Sequence, residues 1–343
     1  MLPAGLRILL MAFAVSPFVA AQKPPAGGPI SWSPIRWSSQ KLGDNTLDHS
    51  ALMVEFRLDG VKDPALMQLD TGCDVDLVYG ASYDRLGGRF PRVARNQVSL
   101  SGRAAGSRFE RERFYVQESP GGIHVNLTPL LAVALPPAGL ALLAAESLPR
   151  SGGGPALLGT IGAEFLEERI LLLDFVSQRV AFLPSGAALP EDVEGRIQFA
   201  PMEYRDRKIF VAVTLNGATR RDMIFDTGSS AVPIETTRRH WLEWTGRRED
   251  DAKNRLMVVN AWGKPARLVG APLTGGLCVG AACLPAPLAY FESTGLRSLD
   301  FDSLFDTAGL IGNVPFDGRY TVVVDVPHRR FGLFAGALAN AGR

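Results

Sequence analysis

Short apolar runs alternate with turn residues along this chain, and one arrangement of them occurs twice. ALMVEFRLDG at 51–60 leads to LMQLDTGC at 66–73, and IFVAVTLNG at 209–217 leads to MIFDTGS at 223–229. Each copy reads as an apolar strand, a turn with glycine, a second apolar strand and then Asp-Thr-Gly. A second element follows each copy in the same order. LLGTIG at 157–162 precedes ILLLDF at 170–175, and GLIG at 309–312 precedes YTVVVD at 320–325. The aspartates 70 and 226 lie 156 positions apart, and the isoleucines 161 and 311 lie 150 apart. Two motifs repeating in order at nearly one offset indicate a duplicated domain.

The pattern therefore predicts an all-β, bilobal fold with lobes at 46–190 and 191–343. The boundary falls in the Pro-, Gly- and acid-containing stretch from Pro184 to Gly195. Short helices are expected over Glu235 to Trp244 and near Glu164 to Arg169. The apolar stretch from Leu127 to Ala145 contains Pro129, Pro136 and Pro137, so it reads as buried strands and a turn rather than a spanning helix.

Composition agrees with two cored β domains. The chain has 343 residues, 46% hydrophobic and 21% charged, with 36 glycines and 24 prolines. A formal net charge of +1 gives no global reason to expect nucleic acid or an anionic membrane as partner. The four histidines lack metal-ligand spacing, and no metal or cofactor is expected.

Residues 1–21 read as a signal peptide: Arg7, an apolar stretch from Ile8 to Phe18, then Val19, Ala20 and Ala21 as small residues for cleavage. The alternative is an anchor, but the run is shorter than the ~20 residues of a span and contains Pro17. Residues 22–45 read as an extended N-terminal arm or a short pro-segment. Export, to periplasm or exterior, suits a disulfide between Cys278 and Cys283 across a hairpin turn, with two free thiols as the alternative. Cys73 remains unpaired, and Asn126 opens a glycosylation sequon. The alternating Arg103, Arg108, Glu110, Arg111, Glu112 and Arg113 read as the solvated face of a hairpin, with selection of acidic substrates as the alternative.

The candidate chemistry lies in Asp70 and Asp226. Peptide hydrolysis needs an activated water and an acid for the leaving nitrogen, and two carboxyl groups sharing one proton supply both. Pairing the lobes about a pseudo-twofold axis brings the two together. Thr71 and Thr227 can bond across the pair, Gly72 and Gly228 let backbone N–H groups approach the carboxylates, and Ser229 can donate to Asp226.

On these residues the chain resembles the pepsin-like and retropepsin-like aspartic proteases. MIFDTGSSAVPI at 223–234 and LDTGCDVDLVY at 69–79 match their aspartate motif, and LGTIG at 158–162 and LIG at 310–312 match their second element. The resemblance spans about residues 46–335. It implies two β-barrel-like lobes around a cleft, a monomer that needs no dimer for catalysis, and a peptide or unfolded protein as substrate. It also has departures. Cys73 stands where relatives carry Ser or Ala. The hairpin from Gln97 to Val116, with Leu100, Gly102 and Gly106 towards its tip, is the flap candidate but has no Tyr there. A second hairpin, Leu256 to Val269, turns at Trp262, which either reaches over the cleft or packs on the lobe. The competing function is a weak or inactive peptide- or protein-binding module on the same fold; a processing protease with one target is a third.

Overall fold

A computed structural model of the chain describes residues 30–42, 45–117, 156–189, 194–261, 264–285, 287–293 and 307–338. The structure is all-β and bilobal. Among the described residues, twenty-three strands form an eight-stranded sheet in the first half and a fifteen-stranded sheet that continues through the second. The described residues hold two α-helices, Gly80–Arg85 and Arg238–Thr245, and a 3-10 turn, Ala163–Leu166. The second helix starts three residues later than the pattern predicts because Ile234–Thr236 first forms a strand. Thr237 caps it by accepting a hydrogen bond from the His240 amide.

The duplication is visible strand by strand. In the first lobe Ala65–Leu69 runs parallel to Ala156–Ile161. Leu77–Tyr79 pairs antiparallel to that second strand and parallel to Ser107–Gln117. In the second lobe the end of Ala218–Phe225 runs parallel to Gly309–Ile311, and Ile234–Thr236 pairs antiparallel to it and parallel to Leu288–Glu292. The short strands at the centre of each arrangement, Leu77–Tyr79, Ile234–Thr236 and Gly309–Ile311, are buried throughout, whereas Ser107–Gln117 alternates between buried and exposed positions.

The halves also share a platform. Arg169–Asp174, from the first half, pairs antiparallel with Tyr320–Asp325 from the second. Each strand ends in a fully buried aspartate held by an arginine five residues on: Arg179 Nε donates to Asp174 at 2.8 Å, and Arg330 Nε to Asp325 at 2.6 Å. The segment read as an arm enters this framework early. Ser33–Pro34 pairs with Arg179–Pro184, and Arg36–Leu42 with Asn45–Leu58. The signal-peptide reading, the stretch from Leu127 to Ala145 and Asn126 lie outside the described residues.

Cys278 and Cys283 form a disulfide between the strands Leu277–Val279 and Ala282–Leu284, with Gly280 at positive φ in the turn. Cys73 is the free cysteine.

Candidate active site

Each aspartate follows an apolar strand and is fixed there by the second element of its own lobe. The Asp70 amide donates to the Ile161 carbonyl at 2.9 Å, and the Asp226 amide to the Ile311 carbonyl, also at 2.9 Å. The duplicated motifs thus do the same structural work in both halves.

The threonines then lock the loops to each other. Thr71 Oγ1 donates to the Phe225 carbonyl at 2.8 Å and accepts from the Thr227 amide at 3.0 Å. Thr227 Oγ1 donates to the Leu69 carbonyl at 2.8 Å and accepts from the Thr71 amide at 3.0 Å. Both side chains are fully buried, so these four bonds form in a low-dielectric setting.

The lock brings the carboxyl groups together. The Gly72 amide lies between Asp70 Oδ1 at 3.1 Å and Asp226 Oδ1 at 3.0 Å. Asp70 Oδ1 also accepts from the Cys73 amide at 3.1 Å, and Asp226 Oδ1 from the Gly228 amide at 2.8 Å. Only glycine permits this approach. A Cβ on Gly72 would sit 2.5 Å from Asp226 Cγ, and one on Gly228 would sit 2.3 Å from Asp70 Oδ1. Burial, then the neighbouring Asp226 charge and a hydrogen bond to Asp226, raise Asp70 above the ordinary carboxyl range. The two carboxyls are not sealed off: Asp226 retains 9% exposure and Asp70 more.

Two side chains beside the pair turn away from the carboxyl groups, Ser229 against expectation. The Cys73 thiol donates to the Val75 carbonyl at 3.2 Å rather than to Asp70, so this residue reaches the carboxylate through its amide alone. Burial, then the charges of Asp70 and Asp74, push the thiol pKa up. The backbone amides that bond the Asp226 carboxyl are those of Gly72 and Gly228, and none of its described hydrogen bonds comes from the Ser229 hydroxyl. The adjacent Ser230 instead donates to the Thr227 carbonyl and accepts from Asn313 Nδ2.

The expected flap hairpin is held down. Its strand Gln97–Ala104 pairs back onto Asn45–Leu58, with Gly102 opposite Leu58. The Ala105 amide donates to the Glu55 carbonyl at 2.9 Å. Leu100 is fully buried in the core, and a Cβ on Gly102 would lie 2.2 Å from the Arg57 carbonyl. The tip at Gly106 meets Ser31 and borders a cavity of about 400 Å³, lined also by Trp32, Glu55, Arg57 and Arg103, that contains no member of the aspartate pair. Absence of a tip Tyr and close backbone packing thus go together. Trp262 lies outside the described residues. The strands that flank it, Arg255–Ala261 and Lys264–Pro272, pair with each other, and the first of them approaches Arg36–Leu42 in the other half.

One residue beside the pair escaped the sequence reading. Lys208, at the start of Lys208–Leu215, is only 6% exposed, and its Nζ donates to the Gly72 carbonyl. The available signal was the repeat itself. Met53 pairs with Gln68 and Phe210 with Ile224, each partner two residues before its aspartate. Two residues further out, the first copy has Ala51 where the second has Lys208.

No protein-family model matches the chain, and no curated protein matches it. Among solved structures it is similar to basic 7S globulin from soybean, with a TM-score of 0.39, 9% identity, and 90% of this chain and 96% of that chain covered. It is similar to conglutin gamma, a basic 7S globulin from lupine seeds, at TM-score 0.40 and 7% identity, covering 91% and 96%. A third, edgp, gives 0.38 and 9%, also covering 91% and 96%.

Proposed function

We propose that the chain is an aspartic-type endopeptidase that hydrolyses peptide bonds in peptides or unfolded protein, with Asp70 and Asp226 as the catalytic pair. The observation that carries this reading is the single Gly72 amide shared by one oxygen of each carboxyl. It holds two like-charged groups in a partly buried site where double ionisation is unfavourable, so one proton stays on the pair near the working pH. The ionised member takes a proton from a water held between them. The protonated member hydrogen-bonds the scissile carbonyl and, as that carbon becomes tetrahedral, the proton passes on to the leaving nitrogen. Both lobes belong to one chain, so a monomer suffices. The Cys278–Cys283 disulfide supports action outside the cytoplasm, in periplasm or exterior.

The second reading is a peptide- or protein-binding module without turnover. It is favoured by the held-down hairpin, which leaves no free flap at that position to close over a substrate. One experiment separates the two. The chain from residue 22 is incubated with denatured protein and internally quenched peptides, with and without pepstatin, beside Asp226→Asn. Pepstatin-sensitive cleavage that falls by roughly 10²–10⁴-fold in the variant supports the protease. Peptide binding without cleavage in the wild type supports the module.

A further inference from the structure

The aspartate pair is nearly symmetric in its backbone, and Lys208 breaks that symmetry. The Gly72 carbonyl to which its ammonium donates belongs to the same peptide group as the Cys73 amide, whose N–H donates to Asp70 Oδ1. One rigid peptide therefore has a cation at its oxygen end and a catalytic carboxylate at its hydrogen end. A cation at the oxygen deepens the peptide dipole and strengthens the N–H as a donor. Ala51 occupies the corresponding place in the other half and brings no charge.

Burying a lysine is unfavourable unless its charge is compensated, so a buried ammonium beside a carboxyl pair points to a role. The turn that presents it is an inter-lobe contact in its own right. Asp206 and Arg207 both have positive φ, Arg207 pairs with Glu164 of the first half at 3.8 Å, and the Tyr204 hydroxyl donates to the Ala163 carbonyl at 3.2 Å. Lys208 is thus delivered to the Asp70 loop by a turn anchored on the first lobe.

We propose that Lys208 is a positioning residue of the catalytic pair, which holds and polarises the Gly72–Cys73 peptide against Asp70 and thereby favours the ionised state of the pair. The proposal rests on the proton-sharing reading of Asp70 and Asp226. Lys208 acts on Asp70 in the direction opposite to burial and to Asp226. The other titratable groups at this end are Cys73 and Asp74 on the loop and Tyr79 on the strand that follows. Arg207 on the turn faces Glu164, Asp74, Glu167 and Tyr115. These groups carry both signs, whereas the Lys208 ammonium bonds directly to the peptide that reaches Asp70.

The test is the titration of the pair in wild type, Lys208→Met and Lys208→Arg, followed by carboxyl ¹³C NMR of the aspartate-labelled chain. Cleavage rate against pH is recorded alongside. Removing the cation withdraws stabilisation of the carboxylate, so both apparent pKa values of the pair move upward in Lys208→Met, by about one unit. Any pH–rate limbs shift the same way. Lys208→Arg retains the charge and remains near the wild type. Unmoved carboxyl titration in folded Lys208→Met overturns the proposal, as does an equal shift in Lys208→Arg. Loss of folded protein in Lys208→Met while Lys208→Arg folds and titrates as wild type supports a charge requirement, and failure of both to fold overturns it in favour of a scaffold role. The NMR readout needs no turnover. A wild type whose aspartates titrate as a pair yet cleaves nothing therefore counts against the protease reading, with the Lys208 result standing separately.

Discussion

Thr71 and Thr227 each donate a hydroxyl hydrogen to a carbonyl of the opposite lobe, at 2.8 Å in both directions, and each accepts the other's amide. Removing one hydroxyl strands a buried carbonyl and a buried amide together. Thr71→Val is expected to cost about 2–4 kcal/mol in urea unfolding, while Thr71→Ser, which keeps the bonds, costs far less. Equal losses in the two variants would show that the methyl group, not the hydroxyl, matters.

The raised pKa of Asp70 carries a consequence for stability. The native state holds this proton more tightly than the unfolded chain, so the stabilisation is fully present below the unfolded carboxyl value. It is lost as pH rises through the interval up to the raised native value. Asp70→Asn removes the ionisation altogether. Its stability relative to wild type is therefore expected to improve from pH 4 to pH 8, measured by urea unfolding at both, even as activity is lost.

Cys73→Ser tests the direction of the thiol. The wild-type thiol donates to the Val75 carbonyl, and a hydroxyl in its place inherits that acceptor. The basic limb of the pH–rate profile is expected to remain in place. A shift of that limb to lower pH would mean the serine turns to bond Asp70. The raised pKa of the half-buried Cys73 thiol also predicts slower alkylation at pH 8 in the native protein than once it unfolds.

Thiol labelling in denaturant without reductant should modify one cysteine, because Cys278 and Cys283 are joined. They are five residues apart, so the unfolded chain loses little freedom to the bridge. Replacing both by serine is expected to cost about 2 kcal/mol.

Much of this was legible in the sequence because the duplication writes each element twice. Asp70 and Asp226, their threonines and glycines, and the strands that carry them follow from local patterns, and Cys278 and Cys283 flank a turn visible as Gly280. What the pattern did not contain was the partner of each side chain. Cys73 and Ser229 sit beside the carboxylates in sequence, yet rotamer and loop path carry the thiol to Val75 and leave the Gly72 and Gly228 amides to serve Asp226. Lys208 follows Asp206 and Arg207, so it reads as one more polar turn residue until folding sets it against Gly72. The pairing of Arg169–Asp174 with Tyr320–Asp325 joins segments about 150 positions apart, and no local periodicity encodes that choice.

That pairing bears on when the molecule can act. A chain produced residue by residue presents Asp70 first, long before Asp226, and the strand that completes the sheet shared by the halves is later still. Pairings of such long sequence separation form slowly. A nascent first half holds Asp70 without the carboxyl that faces it across the Gly72 amide in the folded chain. On the proposed protease reading, the pair is complete only after Asp226 and its Ile311 anchor have been made, so hydrolysis begins late in synthesis at the earliest.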